Sequence, residues 1–281
     1  MHAQLSNDIT GKVLMGITIP PCPASLTNIM REAKRPSSRI DSLANLINSD
    51  AGIVAPLIKL ANSPFIGLRS KVTSALQAVS VLGMQNTLNL VQNIALRQSV
   101  GYKSQSFDKF WERSSLTASI AEKIAAKFMA VSKDDAYIAT LFHDCGIPVL
   151  MMKYPEYRET IMVQCQSGKP ICDIENDSFS TSHAMVGHML TRNWMLQEHI
   201  CKAILYHHDT DVFASMDGGE ETAVRDLIGI IHMAECIADE HLNVKNTEWC
   251  QVEQDVLNHF EISDQEFLDR KEDILVYLNG G

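Results

Sequence analysis

The sequence lacks long apolar runs, persistent strand patterning and any concentration of proline or glycine. No segment approaches the roughly 18 to 20 consecutive apolar residues that a membrane-spanning helix needs. Residues 1–12 do not have the charged-then-apolar layout of a signal peptide. The 9 prolines and 14 glycines are few for 281 residues, so disorder is not expected away from the ends. We therefore expect a globular cytoplasmic protein with no membrane partner.

Paired cysteines and concentrated basic charge are also lacking. The seven cysteines form an odd set without a Cys-x-x-Cys pair, which argues against a disulfide framework and a zinc ribbon. The formal charge is −10, and a surface of that sign repels nucleic-acid phosphates on average. We therefore expect no nucleic-acid partner.

Apolar residues recur at spacings of three and four through most of the chain, and this period predicts an all-α fold in two lobes. The polar stretch 101–106 marks the boundary between a lobe over 1–104 and a lobe over 105–281. In the first lobe the pattern predicts helices over 25–34, 41–47, 53–61, 73–82 and 84–100. In the second it predicts a loop over 209–220 and helices over 107–130, 134–142, 154–166, 182–193, 197–206, 221–241, 252–260 and 264–278.

Histidine is concentrated in the second predicted lobe, where eight of the ten histidines lie between positions 143 and 241. His143 and Asp144 adjoin at the end of an apolar helix, and His183 opens a helix behind Ser182, a residue type that caps helices. An imidazole beside a carboxylate suits a divalent transition metal. Further candidates end or share predicted helices: His207, His208, His232 and Glu235.

Each of these residues also has a purely structural interpretation. A histidine at a helix end commonly binds the last free carbonyl groups, and an aspartate after it can simply form a turn. The order His-Asp, then a single His, then His-His nevertheless favours a shared cavity. Whether that cavity binds metal is a separate question that the spacing leaves open. The remaining histidines of this region are interpreted as core or surface residues: His188, His199, His241 and His259.

Several motifs resemble the HDOD family, the regulatory output domains related to HD-type phosphohydrolases. In the first lobe they are LIKLANSPF at 57–65 and SALQAVSVLG at 74–83. In the second they are Trp111 followed by SSLTASIAEKIA, the HDCG string, His183 with Gly187 and Trp194, and the His207-His208 pair. The resemblance implies an N-terminal helical lobe packed on an HD-like helical lobe, with a role in bacterial signal transduction.

The resemblance also implies which residues would form an HD-type site. Asp144 would be the catalytic residue if the protein is active. In active relatives a further histidine precedes the His-Asp pair, and here Arg113 stands in its place. Arginine cannot ligate a metal ion, so we expect Arg113 to pair with Asp144 or to clamp a phosphate. The implied metal-binding set is His143, Asp144, His183, His207, His208 and Glu235.

Three functions are compatible with such a site. The first, which we favour, is a signalling module without turnover that acts through signalling proteins or through a ligand in the cavity. The second is a metal-dependent phosphohydrolase acting on a nucleotide or another phosphoester, and the third is a pure scaffold. Residues 209–220 lack the Gly-Tyr-Pro segment of the related cyclic dinucleotide phosphodiesterases, which argues against that reaction. We expect either no cofactor or one divalent ion of iron, manganese, zinc or magnesium, and the sequence does not specify an oligomeric state.

Overall fold

The computed structural model describes residues 16–62, 71–100, 107–128, 131–164, 168–215 and 219–279. All the helices and strands assigned within these ranges are α-helices, which confirms the all-α prediction. Parts of the predicted motifs, boundary and helices lie outside the described residues, at 63–65, 101–106, 129–130 and 165–166.

The chain divides into two compact units. The smaller contains the described residues of Cys22–Tyr102 and Val276–Gly281, and the larger contains those of Met1–Pro21 and Lys103–Leu275. In each unit, buried apolar side chains from several helices form the core.

The smaller unit is a cluster of helices packed on one long helix. Helix α1 (Ala24–Ala33) packs on α2 (Ile40–Asn48), and α1, α2 and α3 (Ala51–Ala61) all pack on α4 (Ala75–Ser99). Gly83, with φ 81° and ψ 166°, breaks α4 at the point where the sequence predicts two separate helices. The core of this unit includes Leu26, Ile29, Leu43, Ile47, Leu57 and Leu96.

The larger unit is organised by two long helices that pack on each other, α5 (Asp108–Phe128) and α13 (Gly219–His241). Helix α6 (Lys133–Phe142) packs on both of them, and α11 (Glu198–Tyr206) packs on α6 and α13. The C-terminal ends of α6 and α11 are therefore brought to the same part of the bundle.

Shorter helices complete the larger unit. Helix α10 (His183–Asn193) packs on α11 and on α7 (Gly146–Lys153). The remaining helices are α8 (Tyr157–Gln164), α9 (Ile171–Phe179), α12 (Val212–Ser215), α14 (Trp249–His259) and α15 (Asp264–Leu278).

Among the helices that the structure describes, none is both long enough and apolar enough to cross a membrane.

Serine side chains determine where two of these helices begin. The Ser132 hydroxyl accepts a hydrogen bond from the backbone N–H of Asp135, at 3.0 Å, at the start of α6. The Ser182 hydroxyl does the same for Met185, at 3.3 Å, at the start of α10. These bonds satisfy N–H groups that have no partner within the helix.

The sequence pattern does not predict α7, α9 or α12. The predicted loop over 209–220 is wrong in part, because this stretch contains α12 and the first residues of α13, while 216–218 lie outside the described residues. Helix α7 begins with Gly146 and has Pro148 as its third residue, and proline is tolerated there because the first turn of a helix leaves its N–H groups unpaired. Helix α9 is rich in Asp, Asn and Ser, residue types that favour turns and therefore do not predict a helix.

Candidate metal centre

Side chains from five helices of the larger unit converge on one region. Three of the histidines are almost completely buried, with 1% exposure for His143 and 0% for His183 and His207. The converging residues are Arg113 on α5, His143 and Asp144 after α6, His183 at the start of α10, His207 and His208 after α11, and Glu235 and Asp239 on α13.

His143 and His207 are positioned by the same local device. Each follows the last residue of a helix, and its Nδ1 donates to the carbonyl oxygen three residues earlier, Thr140 at 2.6 Å and Ile204 at 2.8 Å. The bond satisfies a carbonyl in the last helical turn and turns Nε2 towards the cluster. Both histidines therefore bind a carbonyl at a helix end, and this bond is compatible with a ligand role for Nε2 of His207.

His183 is positioned by the N-terminus of α10 and by a close backbone approach. A Cβ atom at Gly146 would lie 2.1 Å from the carbonyl oxygen of His183, so only glycine allows α7 to pass this close. Both Nδ1 and the backbone N–H of His183 donate to Glu175 Oε2, at 2.7 and 2.9 Å. One oxygen of Glu175 thus holds both the ring and the backbone of His183, and Nε2 points towards the other converging side chains.

Four side chains, those of Asp144, His183, His207 and His208, place one ligand atom each within 4.8 Å of the others. His183 Nε2 lies 3.4 Å from His207 Nε2 and 3.0 Å from His208 Nε2. Asp144 Oδ1 lies 3.4 Å from His183 Nε2 and 3.8 Å from His207 Nε2. Ligands about 2.0 to 2.1 Å from one ion lie about 2.8 to 3.4 Å apart at octahedral or tetrahedral angles. Three of these four distances fall in that range, and the distance from His207 to Asp144, at 3.8 Å, would have to shorten for one small divalent ion to bind all four atoms.

The rings of His183, His207 and His208 each form a hydrogen bond through Nδ1, which leaves Nε2 available to bind a metal ion. The Nδ1 partners of His183, His207 and His208 are, respectively, a carboxylate, a backbone carbonyl and the Glu248 carboxylate at 2.5 Å. Because these partners accept hydrogen bonds, they favour the proton on Nδ1 and the lone pair on Nε2. Burial, followed by the charge of neighbouring histidines, lowers the pKa of His207 and His208 to about 4, which keeps both rings neutral at pH 7.

Arg113 occupies the neighbouring half of the region. Its guanidinium donates to both carboxylate oxygens of Asp239, at 2.8 and 3.0 Å, and to Glu235 Oε1 at 2.9 Å. Its Nη1 lies 3.7 Å from Asp144 Oδ2. Although burial opposes it, the charge of Glu235 and the other carboxylates raises the pKa of Arg113. Arg113 is therefore a fixed cation held among three carboxylates.

His143 adds a second cation to the Arg113 half. Its Nε2 lies 3.1 Å from Asp144 Oδ2 and 3.3 Å from Glu235 Oε1, while its Nδ1 faces a carbonyl, so both nitrogens have acceptors as partners. Although burial opposes it, the charge of Asp144 and Glu235 raises the pKa of His143 well above its ordinary value. Arg113 and His143 together supply two positive charges, as one divalent ion would.

Asp144 connects the two halves. Its Oδ1 faces His183 and His207, and its Oδ2 faces His143 and Arg113. Although burial opposes it, the charge of His143 lowers the pKa of Asp144 well below its ordinary value, so the carboxylate stays ionised. His207 and His208 are neutral, whereas the charge of Glu175, although burial opposes it, raises the pKa of His183, so any proton on its Nε2 would have to leave before a metal ion could bind. Three imidazoles and one ionised carboxylate are a donor set that suits zinc, iron or manganese better than magnesium.

The structure divides the implied metal-binding set into two groups. Asp144, His183, His207 and His208 surround one point, whereas His143 and Arg113 both contact Glu235 Oε1. His232, which the sequence pairs with Glu235, lies behind this region, next to Glu235 and Glu248. The assignment of the six residues as metal ligands stays a prediction.

Sequence reasoning missed the residues that support the site. Asp239, one helical turn after Glu235, holds Arg113, and this spacing could have been recognised as one face of α13. Glu175 and Glu248 hold His183 and His208; they lie 8 and 40 residues from these histidines in sequence and stand in no motif. Asn246 Nδ2 donates to Asp239 Oδ2 at 3.0 Å and its Oδ1 accepts from the N–H of Glu248 at 3.1 Å, which links the two halves.

Two of the histidines interpreted as core or surface residues have acidic partners distant in sequence. His259 Nε2 lies 2.7 Å from Asp226 Oδ1, and His199 Nε2 lies 3.4 Å from Asp135 Oδ2. His188 Nδ1 lies 2.9 Å from the carbonyl oxygen of Cys201. These contacts support the fold and place no side chain in the metal centre.

Comparison with protein families identifies one family over most of the chain. The model of the HDOD domain matches residues 19–210. A curated, uncharacterized protein of Treponema pallidum (strain Nichols) is 25% identical over 193 residues, which is 68% of this chain. The matched region spans 38% of the length of that protein.

Solved structures share the fold. A Shewanella amazonensis SB2B protein provisionally described as a phosphohydrolase has a TM-score of 0.74 at 22% identity, covering 98% of this chain and 96% of that chain. An HDOD domain protein of unknown function from Geobacter sulfurreducens has a TM-score of 0.71 at 21% identity, covering 96% of this chain and 94% of that chain. The match to the family model and these structures confirm the resemblance noted in the sequence.

Proposed function

Since the chain belongs to the HDOD domain family, we propose that it is a signal-transduction module whose HD-like site holds one divalent metal ion and does not turn over substrate. Asp144, His183, His207 and His208 would hold that ion. Arg113 would take the place of a second cation, and the module would act through contacts with partner signalling proteins.

The proposal is carried by the position of Arg113. A two-metal hydrolytic site needs a second ion that clamps the attacking and leaving oxygens. In this chain the carboxylates beside Asp144 already bind the guanidinium, with Asp239 and Glu235 at 2.8 to 3.0 Å. Because His143 is also paired with Asp144 and Glu235, a second ion would have to displace contacts that these side chains already form.

The same cluster disfavours a phosphate clamp at Arg113. Arg113 Nε and Nη2 already donate to carboxylates, Nη1 lies 3.7 Å from Asp144 Oδ2, and Asp144, Glu235 and Asp239 carry three negative charges around the guanidinium. A phosphoester approaching this side would meet those charges before it met a free donor. The charges instead favour a cation, which supports one metal ion at the neighbouring imidazoles.

A bound divalent ion would supply Lewis acidity and an attachment point for an oxygen ligand. Three imidazoles and Asp144 would orient it, and the exposed fractions of Asp144 and His208, 15% and 16%, allow a small molecule to reach it. The site would thus combine a rigid base, formed by His183 and His207, with one side open to solvent.

That open side favours a second candidate, a phosphohydrolase with a single metal ion acting on a nucleotide or another phosphoester. Asp144 would then be its catalytic residue, orienting the attacking water from the carboxylate oxygen that faces the histidines. The absence of a partner for the phosphate at Arg113 makes this the weaker of the two candidates.

Metal content measured by plasma mass spectrometry tests the proposal. Because three imidazoles and a carboxylate bind zinc, iron or manganese strongly, we expect about one equivalent of metal per wild-type chain. The Asp144→Ala variant should lose it. Asp41→Ala provides a matched control, since Asp41 is an exposed acid paired only with Arg39 among the described contacts and should leave the metal content unchanged.

The same preparations distinguish the two candidates. The signalling module predicts no hydrolysis of nucleotides or of p-nitrophenyl phosphate above the rate of Asp144→Ala. Turnover that disappears in Asp144→Ala would establish the phosphohydrolase. A folded wild-type protein that contains no metal, and takes up none of the three ions, would contradict both candidates.

A further inference from the structure

We propose that Glu175, supported by Tyr157, is a positioning residue that sets how tightly His183 holds the metal ion. The inference rests on the metal site proposed above. It concerns two residues, on α9 and α8, that lie outside the sequence motifs and outside the ring of ligand atoms.

Glu175 is completely buried, with 0% exposure, and its carboxylate is used on both oxygens. Oε2 accepts from Nδ1 and from the backbone N–H of His183, at 2.7 and 2.9 Å. Oε1 accepts from the hydroxyl of Tyr157, which is itself only 3% exposed. Glu175 therefore holds His183 at the imidazole and at the backbone N–H, while Tyr157 holds Glu175.

A buried carboxylate is costly unless a positive charge compensates it. Among the described residues no lysine or arginine forms an ion pair with Glu175, and its charge is directed at His183. A metal ion on Nε2 of the same ring would place a positive charge on the opposite side of the imidazole. The carboxylate would make the imidazole a stronger ligand, and the ion would stabilise the buried carboxylate.

The three histidines of the proposed site differ in the group that accepts the hydrogen bond from Nδ1. The effects of these groups on metal affinity can therefore be compared. His207 has only a backbone carbonyl behind it, and His208 has Glu248, whose side chain is 32% exposed. Only His183 is backed by a carboxylate that is fully shielded from water. Because water screens the charge of Glu248, the effect of Glu175 on the metal should be the larger one.

The test is the zinc affinity of metal-stripped protein, measured by competition with a fluorescent chelator. Loss of a carboxylate behind a ligating histidine weakens metal binding about 10- to 100-fold, and we expect a loss of this size for Glu175→Gln. Tyr157→Phe and Glu248→Gln should each cause a smaller loss. Thermal melting in excess chelator gives the stability of each metal-free variant separately.

Asp226→Asn is the matched control. Asp226 is a buried carboxylate that pairs with a histidine, His259, at 2.7 Å, but this pair is no part of the metal site. The control should lower the melting temperature and leave zinc affinity unchanged. It separates the loss of a buried histidine–carboxylate pair from an effect on the metal.

The outcomes distinguish this inference from its premise. A wild-type protein that does not bind zinc, iron or manganese contradicts the metal site itself. A wild-type protein that binds zinc, together with unchanged affinity in Glu175→Gln, overturns the role of Glu175 alone. If Glu175→Gln does not fold, Tyr157→Phe takes its place, and unchanged affinity in that folded variant overturns the inference in the same way.

Discussion

Position 113 determines how many cations the region can hold. Arginine at this position brings a permanent charge and no lone pair, so it satisfies Asp239 and Glu235 as a metal ion would while being unable to bind one itself. In the proposed site these carboxylates would bind a guanidinium in place of a second ion.

Replacing Arg113 with histidine should restore a second metal equivalent. The Arg113→His variant removes the competing guanidinium and adds an imidazole beside His143, Asp144 and Glu235, whose ligand atoms already lie within 4.8 Å of one another. We expect metal content to rise from about one to about two equivalents per chain, because the freed carboxylates attract a cation. Plasma mass spectrometry after dialysis against manganese or zinc measures this change.

Arg113→Gln is the control for this substitution. It removes the charge without adding a ligand, and leaves Asp239 and Glu235 buried without their cation, at a cost of about 3 kcal/mol in unfolding free energy. A second equivalent in Arg113→His that is absent from Arg113→Gln supports the account. If both variants keep a single equivalent, the Arg113 half is not a converted metal site.

For individual residues, the sequence predicts which side chains could bind a metal ion, but it does not predict how they are grouped. His143, Asp144, His183 and the His207-His208 pair are recognisable from adjacency and helix position. Their division into ligands of the proposed metal ion and partners of Arg113 depends on the orientation of Asp144, whose Oδ1 faces His183 and whose Oδ2 faces Arg113. Contacts such as Glu175 with His183 arise from packing between helices, which no local pattern encodes.

Helix α7 is the element on which the position of His183 depends most directly. Gly146→Ala would place a Cβ 2.1 Å from the carbonyl oxygen of His183, a backbone atom that cannot rotate away. We expect a loss of about 3 kcal/mol or more in unfolding free energy from this overpacking. Zinc affinity should fall as well, since His183 must move. Chemical denaturation and the chelator competition measure the two effects.

Gly52→Ala is the corresponding control in α3. A Cβ at Gly52 would meet only the ends of the Asp50 and Gln98 side chains, at 3.1 and 3.3 Å. Its effect on unfolding should stay within about 1 kcal/mol, because alanine also favours the helix. Equal behaviour of the two variants would show that the approach of α7 to His183 is not tight.

Helix prediction succeeded where the apolar period was long and failed where local chemistry opposed it. Helices α5 and α13 exceed 20 residues and repeat their apolar face through several turns, and α6 and α10 add serine caps. Helix α7 starts Gly-Ile-Pro and α9 carries four turn-favouring polar residues, so both resemble loops in sequence. Tertiary packing makes them helical.

For the whole molecule, the family and the all-α fold were both recognisable from sequence, and the comparisons confirm them. The matched region spans 38% of the Treponema relative, so the partner of the proposed signalling module has to be found by experiment. The formal charge of −10 is consistent with a protein that attracts cations, and the proposed metal site lies between α6, α10 and α11.

Anomalous X-ray diffraction from a crystal grown with manganese tests the central claim most directly, because it counts the ions and locates them. The account predicts one anomalous peak per chain, within bonding distance of Asp144 Oδ1 and of Nε2 of His183 and of both histidines that follow α11, with Arg113 still bound to Asp239 and Glu235. A second peak beside His143, with Arg113 turned away, would contradict it, as would a well-ordered crystal without any peak at the histidines.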